Sequence, residues 1–579
     1  MKGMLHRRSA PVVSTAVSSA AVAWLLLGAL GASAQTATGL SWPGCADLQA
    51  GDFRKVGISI NHPASPTKMK IAGDGRMFFA GTGGKVWSYD PRTAATTTLA
   101  SIAVIGGGTA WGLVGMALDP AFLADNWIYL LYSAKPVNLP AAPVSYQLWR
   151  YTLAAGKLDA GKMILEYPAD KGTFPVDHSG GGMAFDAQGN LYFSSGENSD
   201  WNLNYGNVDE TRIEFNSLRT AGNTNDLRGK VNRIHPEPDG KYTIPAGNLF
   251  PPGKDSTKPE IYAMGFRNPW SLDVDKPTGT LLIADVGPQA EAASPQKGPA
   301  GMDEFNATRT PGFFGWPMFM GPNVAYNNYD YSANKAGAFF DKDAPINDSR
   351  WNTGLKKLPP AKPSIVAYGK DGLNNPLAGF ERGGAVPITG PIYRYDGKNP
   401  SKIKLPPHFE GKWFVADAFQ KWIKVIGLDD GAAKAVTVGN AFPGMATFAS
   451  TSSYSIIAME FGPDGALYVT ENGSNVTFRI EYAGSCLPDV TPAIPNAVVR
   501  AGRMRAGSHG ALLAPMGGRR AVALEEGSAG FALFDARGRK VWEYRREGAV
   551  RRDGAMPRIQ VDVPAEAAPG SILRVVALD

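Results

Sequence analysis

The chain has 579 residues, 44% hydrophobic and 19% charged, which is ample material for a core and excludes a disordered or fibrous protein. Two Cys exclude a disulfide-dense scaffold and any Cys-based zinc cluster, and six His leave few candidates for a base or a metal ligand. The formal charge of +6 sits at the ends, on Lys2, Arg7 and Arg8 and on an Arg-rich stretch beyond residue 495, so it argues for no nucleic-acid partner at the slightly acidic middle.

Residues 1–34 read as an export signal. A basic start is followed by an apolar run around Trp24-Leu-Leu-Leu27 and by Ala32-Ser-Ala34 before Gln35, an A-x-A cleavage pattern. The run is too short to span a bilayer and no later stretch is longer, so the expectation is no transmembrane span and an exported protein, periplasmic or extracellular.

From about residue 40 to 486 one unit recurs six times: an apolar pair, a short turn with Asp or Gly, and an aromatic or aliphatic strand. The copies lie at Ile71–Phe79, Met116–Tyr129, Met183–Phe193, Leu272–Ile283, Phe409–Val415 and Met459–Val469. Most are followed by a further strand, such as Lys85-Val-Trp-Ser-Tyr89 or Lys230-Val-Asn-Arg-Ile234. Repeated hairpins with no amphipathic helix between them predict an all-β fold, a six-bladed β-propeller, because each sheet can bury its faces only against its neighbours. The long intervals 197–227 and 285–411 are expected to be functional loops. Cys45 and Cys486 flank the repeats; in an oxidising compartment they could staple the ring. Residues 487–498, with Pro488, Pro492 and Pro495, read as a linker. Residues 499–579 carry short alternating strands and read as a small C-terminal β-sandwich domain. That domain loosely resembles bacterial sorting or surface-attachment modules, which implies possible attachment to the cell surface.

The chemistry concentrates in a few loops. Pro175-Val-Asp-His-Ser-Gly-Gly-Gly182 places Asp177 and His178 before a Gly run, so the backbone can approach a ligand, and His178 is a candidate general base with Asp177 beside it. Gly265-Phe-Arg-Asn-Pro269 offers Arg267 and Asn268 as donors to an anionic ligand or a carbonyl oxygen. In Asp285-Val-Gly-Pro-Gln289 the carbonyls of Gly287 and Pro288 could face a hard cation such as calcium.

These segments resemble the glucose/sorbosone dehydrogenase family, the soluble quinoprotein sugar dehydrogenases that use pyrroloquinoline quinone (PQQ). The resemblance runs over roughly residues 66 to 482. Gly112-Leu-Val-Gly-Met-Ala-Leu-Asp-Pro120, His178–Asp186, Asn223-Thr-Asn-Asp-Leu-Arg-Gly-Lys230, Gly265–Pro269, Gly287-Pro288, Asp303-Glu-Phe-Asn306 and Gly462-Pro-Asp-Gly465 carry it together, in this order. It implies a six-bladed propeller that oxidises an aldose at C1 to the lactone, with PQQ and calcium as cofactors and an external electron acceptor. By the same resemblance His178 is the base, Arg267 polarises the quinone oxygen, Asn268 and Lys421 bind the cofactor, and Gly287 and Pro288 hold the calcium. Orientation of His178 by Asp177 is a further expectation.

The sequence departs from the family where a pair of Arg binds the cofactor's carboxylates. Ser455 and Ile457 stand there, with Lys421, Lys424 and Arg382 as candidate substitutes. The alternative expectation is therefore a non-catalytic propeller of the same descent that binds calcium and a carbohydrate or protein partner.

Overall fold

The computed structural model describes residues 48–107, 111–170, 178–199, 205–369, 380, 386–429, 435–443, 445 and 456–484, and the backbone of six strands beyond residue 508. The chain falls into two compact units, Met1–Leu487 and Pro488–Asp579.

The first unit is a ring of six sheets, each built on four antiparallel blade strands. Blade 1 contains Lys68–Ile71, Met77–Ala80, Lys85–Asp90 and Ala95–Ser101. Blade 2 contains Leu113–Leu118, Trp127–Ala134, Val144–Ala154 and Lys162–Ala169; blade 3 contains Met183–Phe185, Leu191–Ser195, Lys230–Pro236 and Ile261–Met264. Blade 4 contains Ser271–Asp275, Thr280–Asp285, Met302–Thr308 and Val366–Gly369; blade 5 contains Pro387–Ile392, Lys412–Asp417, Trp422–Leu428 and Ala435–Asn440. Blade 6 contains Ile456–Phe461, Leu467–Glu471 and Thr477–Tyr482, and Phe53–Ile58 is its fourth strand. The first strands of the six blades touch in cyclic order, which sets them around a central axis. The expected six-bladed propeller is therefore the fold.

The Asp residues in the repeat act at the turn between first and second strands. Asp74, Asp186 and Asp464 each accept a backbone N–H two residues on, at 3.1, 2.9 and 3.1 Å from Arg76, Gln188 and Ala466. The fifth copy is offset. Its strand Lys412–Asp417 pairs upstream with Pro387–Ile392 across a long connection, so no tight turn marks that hairpin. The interval 285–411 is likewise less loop than expected, since it contains the two outer strands of blade 4 and the first strand of blade 5.

Ring closure joins the two ends of the propeller. Phe53–Ile58 runs antiparallel to Thr477–Tyr482, with Phe53 opposite Tyr482 and Ile58 opposite Thr477. The Phe53 ring packs edge-on to Phe442 at 5.0 Å and against Tyr482 at 5.5 Å. Cys45, Cys486 and the export signal lie outside the described residues.

In the second unit, His509–Leu513, Ile572–Leu578, Gly530–Phe534 and Lys540–Arg545 form one antiparallel sheet in that order. Arg519–Ala523 and Arg558–Asp562 form a second, two-stranded sheet. Among the described residues no helix is long and apolar enough to cross a membrane.

Candidate active site

Connectivity gathers the sequence-derived candidates on one end of the ring. His178 precedes the first strand of blade 3, and Arg267 and Asn268 precede that of blade 4. Gly287 and Pro288 follow the second strand of blade 4, and Lys421 follows that of blade 5. In an up-and-down blade these two connections share a face, here termed the upper face, while the Asp turns lie on the lower one.

His178 is 6% exposed, at φ +60°. Its Nδ1 is 3.0 Å from Oε1 of Glu197, which is fully buried. The hairpin of blade 3 brings them together: its register, Met183 opposite Phe193, continued past the strand ends, sets His178 beside Asn198 and Glu197. Asn198 Nδ2 donates to the His178 carbonyl at 2.9 Å. Gly196 is required by this approach, since a Cβ there would lie 2.0 Å from the His178 carbonyl oxygen.

Glu197 is the centre of the cluster. Its Oε2 accepts from Ser217 Oγ and Trp316 Nε1, its Oε1 lies 3.8 Å from Arg267 Nε, and its backbone N–H donates to the Arg267 carbonyl at 2.9 Å. Burial pushes this carboxyl up, but the hydrogen bond and charge of His178, the charge of Arg267 and the Ser217 hydroxyl outweigh it and hold Glu197 below the usual carboxylate range. Asp177, expected to orient the base, lies outside the described residues; the side chain seen on Nδ1 is Glu197. Sequence reading missed Glu197 because it sits beyond the repeat's second strand, where only the hairpin register points to it.

Arg267 is 2% exposed, and its guanidinium lies 6.0 Å from the Trp316 ring. Asp285 fixes its backbone, accepting from Arg267 N at 3.0 Å and Asn268 N at 2.7 Å. Burial and nearby Glu304 push the Asp285 carboxyl well up despite those donors. Asn268 Oδ1 accepts from Gly180 N at 3.0 Å, so blades 3 and 4 are tied beneath the site. Arg267 Nη1 donates to the carbonyls of Gly287 at 2.9 Å and Val286 at 3.3 Å. Its Nη2 is buried with no hydrogen-bond acceptor among the described residues. A buried cation with an unused donor suits a ligand oxygen that carries or gains negative charge.

The Gly287–Pro288 segment lies flat on the chain around Met302. A Cβ on Gly287 would fall 1.6 Å from the Met302 carbonyl oxygen, and Gly287 N donates to Asp303 Oδ1 at 3.0 Å. The Gly287 carbonyl already receives the Arg267 guanidinium, so a divalent ion on it would face that positive charge. As arranged, the segment fits calcium poorly. Among the described residues no group of three His, Cys, Asp or Glu side chains could hold a metal ion.

Of the possible cofactor cations, Lys421 sits at φ +63° on the blade 5 turn, its N–H donating to the Asp417 carbonyl at 2.8 Å. Lys424 is turned into blade 5, with Nζ 3.0 Å from Asn440 Oδ1 and 5.3 Å from the Trp422 ring centre. Arg382 and Ser455 lie outside the described residues. Ile457 is buried on the first strand of blade 6 and faces the central axis.

The sequence model of the family described as Glucose / Sorbosone dehydrogenase matches residues 63–353. HIPL1 protein of Arabidopsis thaliana is 23% identical over 357 residues, covering 54% of this chain and 43% of its own length. Aldose sugar dehydrogenase YliI of Escherichia coli K12 is 25% identical over 208 residues, covering 36% of this chain and 46% of its own length. The chain thus spans less than half the length of these curated relatives. A putative glucose dehydrogenase of Thermus thermophilus superposes with a TM-score of 0.48 at 21% identity, over 74% of this chain and 99% of its own. The family match covers half of the chain, including His178, Glu197, Arg267 and Asn268, and the chain belongs to the glucose/sorbosone dehydrogenase family.

Proposed function

We propose that the propeller is a sugar dehydrogenase that oxidises an aldose at its anomeric carbon to the lactone, with PQQ as cofactor. The observation that carries this reading is the buried His178–Glu197–Arg267 cluster, which pairs a base with a cation that has an unused donor.

When bound, PQQ supplies the acceptor for the hydride that leaves C1. The chain's own residues handle the proton and the charge. With a proton on Nδ1 directed at Glu197, Nε2 is the basic nitrogen of His178, and it takes the proton from the C1 hydroxyl. Glu197 stabilises the imidazolium that results and holds the ring in that tautomer. Arg267 Nη2, buried with an unused donor, would meet the ligand oxygen on which negative charge grows. Asn268 and Lys421 would hold the cofactor. No step here passes through calcium. The electrons would pass to an external acceptor.

A second reading, a propeller that binds a carbohydrate or protein partner without turnover, is favoured by Ile457, an apolar side chain where the family resemblance expects Arg.

The test is reconstitution of residues 35–579 with PQQ, with and without calcium, followed by dye reduction over a panel of aldoses. Sugar-dependent reduction that falls by about 10²- to 10⁴-fold in His178→Ala supports the dehydrogenase. Saturable PQQ or sugar binding without reduction supports the second reading.

A further inference from the structure

The six first strands line a small cavity of about 40 Å³ on the propeller axis, just below the upper-face site. Lys68, the first residue of the blade 1 strand, lines it together with Gly181, Gly182, Ser271 and Ile457. Lys68 is 9% exposed, and its one hydrogen-bond acceptor among the described residues is the Trp270 carbonyl, 2.9 Å from Nζ. The ammonium also lies 4.3 Å from the Trp270 ring centre. Among the described residues no carboxylate pairs with it. The nearest titratable neighbour acting on it is Lys70, of the same sign, and Lys70 is itself paired with Glu460. Asp273, lower on the axis, is pushed up to about 6 by burial.

A buried ammonium with spare N–H groups and no counterion is costly unless something anionic completes it. The cavity adjoins the site through the chain: Gly181, which lines it, is three residues from His178, and Trp270, whose carbonyl accepts from Lys68, is two from Asn268. Ile457, on the adjoining first strand of blade 6, lines the same cavity. The cation absent from blade 6 thus has a counterpart one strand away, on blade 1.

We propose, building on the dehydrogenase reading, that Lys68 forms a carboxylate-binding pocket at the upper end of the axis, which takes one carboxylate of the PQQ cofactor in place of the Arg absent at Ile457. With one carboxylate on Lys68, the aromatic body of the ligand would lie above the cavity, toward Asn268 and Arg267.

The test is equilibrium titration of PQQ and of its trimethyl ester into residues 35–579, read by absorbance and intrinsic fluorescence, for the unaltered chain, Lys68→Met and Lys68→Met/Ile457→Arg. Loss of one buried charge-assisted pair should weaken PQQ binding by about 10- to 100-fold in Lys68→Met. The ester should bind both forms alike, and Ile457→Arg should restore part of the loss. Affinity of the unaltered chain should fall as pH rises through about 7, where Lys68 gives up its proton, and that fall should flatten in Lys68→Met. Equal PQQ affinity in the unaltered chain and Lys68→Met, with both folded by circular dichroism, overturns the pocket and leaves the dehydrogenase reading standing. If the unaltered chain does not bind PQQ, that reading fails, and quinoline-2-carboxylate then tests the pocket alone. A thermal shift lost in Lys68→Met keeps the pocket; no shift in the unaltered chain overturns it.

Discussion

Glu197 holds the Nδ1 edge of His178 at 3.0 Å from a fully buried position, and it is anchored there by Trp316 and Ser217. The pair is a base and its orienting group, set by the register of one hairpin. Glu197→Gln keeps the size but loses the charge opposite the imidazolium. On the dehydrogenase reading kcat should fall by about 10²- to 10⁴-fold while KM for the sugar changes little. Steady-state kinetics of the reconstituted enzyme checks this.

The same carboxylate sets a pH dependence of stability. Its pKa is lowered in the fold, so it stabilises the protein above the unfolded carboxylate value of 4.5, and this contribution is lost as pH falls through the folded value. Glu197→Gln should therefore lower the melting temperature near neutral pH, and the difference from the unaltered chain should shrink under acid. Melting curves over a pH series give the answer.

Lys68 acts in the opposite direction. Burial, with Lys70 beside it, lowers it from 10.5 to about 7, so between those values the unfolded chain carries a proton that the folded chain lacks. Stability rises with pH across that window, and below it the full cost of the buried charge applies. Lys68→Met should melt several degrees higher than the unaltered chain at about pH 6, and the gain should fade by about pH 10. Lys230, likewise lowered to about 7 by burial, leaves a residual slope in the variant.

The Arg267 guanidinium on the Gly287 carbonyl bears on metal binding. Calcium added to the cofactor-free protein should shift the melting temperature by less than about 1 °C, because a ligand at or below its dissociation constant stabilises by only a fraction of a kcal/mol. Differential scanning fluorimetry with calcium and with chelator tests it.

Ring closure should be energetically expensive to disturb. Phe53, buried among Phe409, Phe442 and Tyr482, anchors the closing strand. Phe53→Ala should cost about 3–5 kcal/mol, measured by urea unfolding.

The blade count was legible because Asp turns and flanking apolar strands write each hairpin locally, as at Asp74, Asp186 and Asp464. It blurred at blade 5, where the first strand pairs across a long connection and leaves no turn to find. His178, Arg267 and Asn268 were legible as donors and base beside Gly-rich turns, and up-and-down connectivity then puts them on one face. Glu197 and Lys68 were not. Glu197 gains its meaning from a register, and Lys68 from a ring of six strands that closes only over the whole chain; as sequence, each is an ordinary charged residue near a strand end.

The closing strand also fixes an order of events. Phe53–Ile58 is made among the first residues of the propeller, and its partner Thr477–Tyr482 among the last. The first-made strand cannot dock until the final blade has emerged, so the ring stays open throughout synthesis. A contact so distant in sequence slows folding and leaves blade edges exposed in the meantime. Export, the expectation drawn from residues 1–34, would gain from that delay, because an unclosed ring is a chain that can still be threaded through a narrow pore.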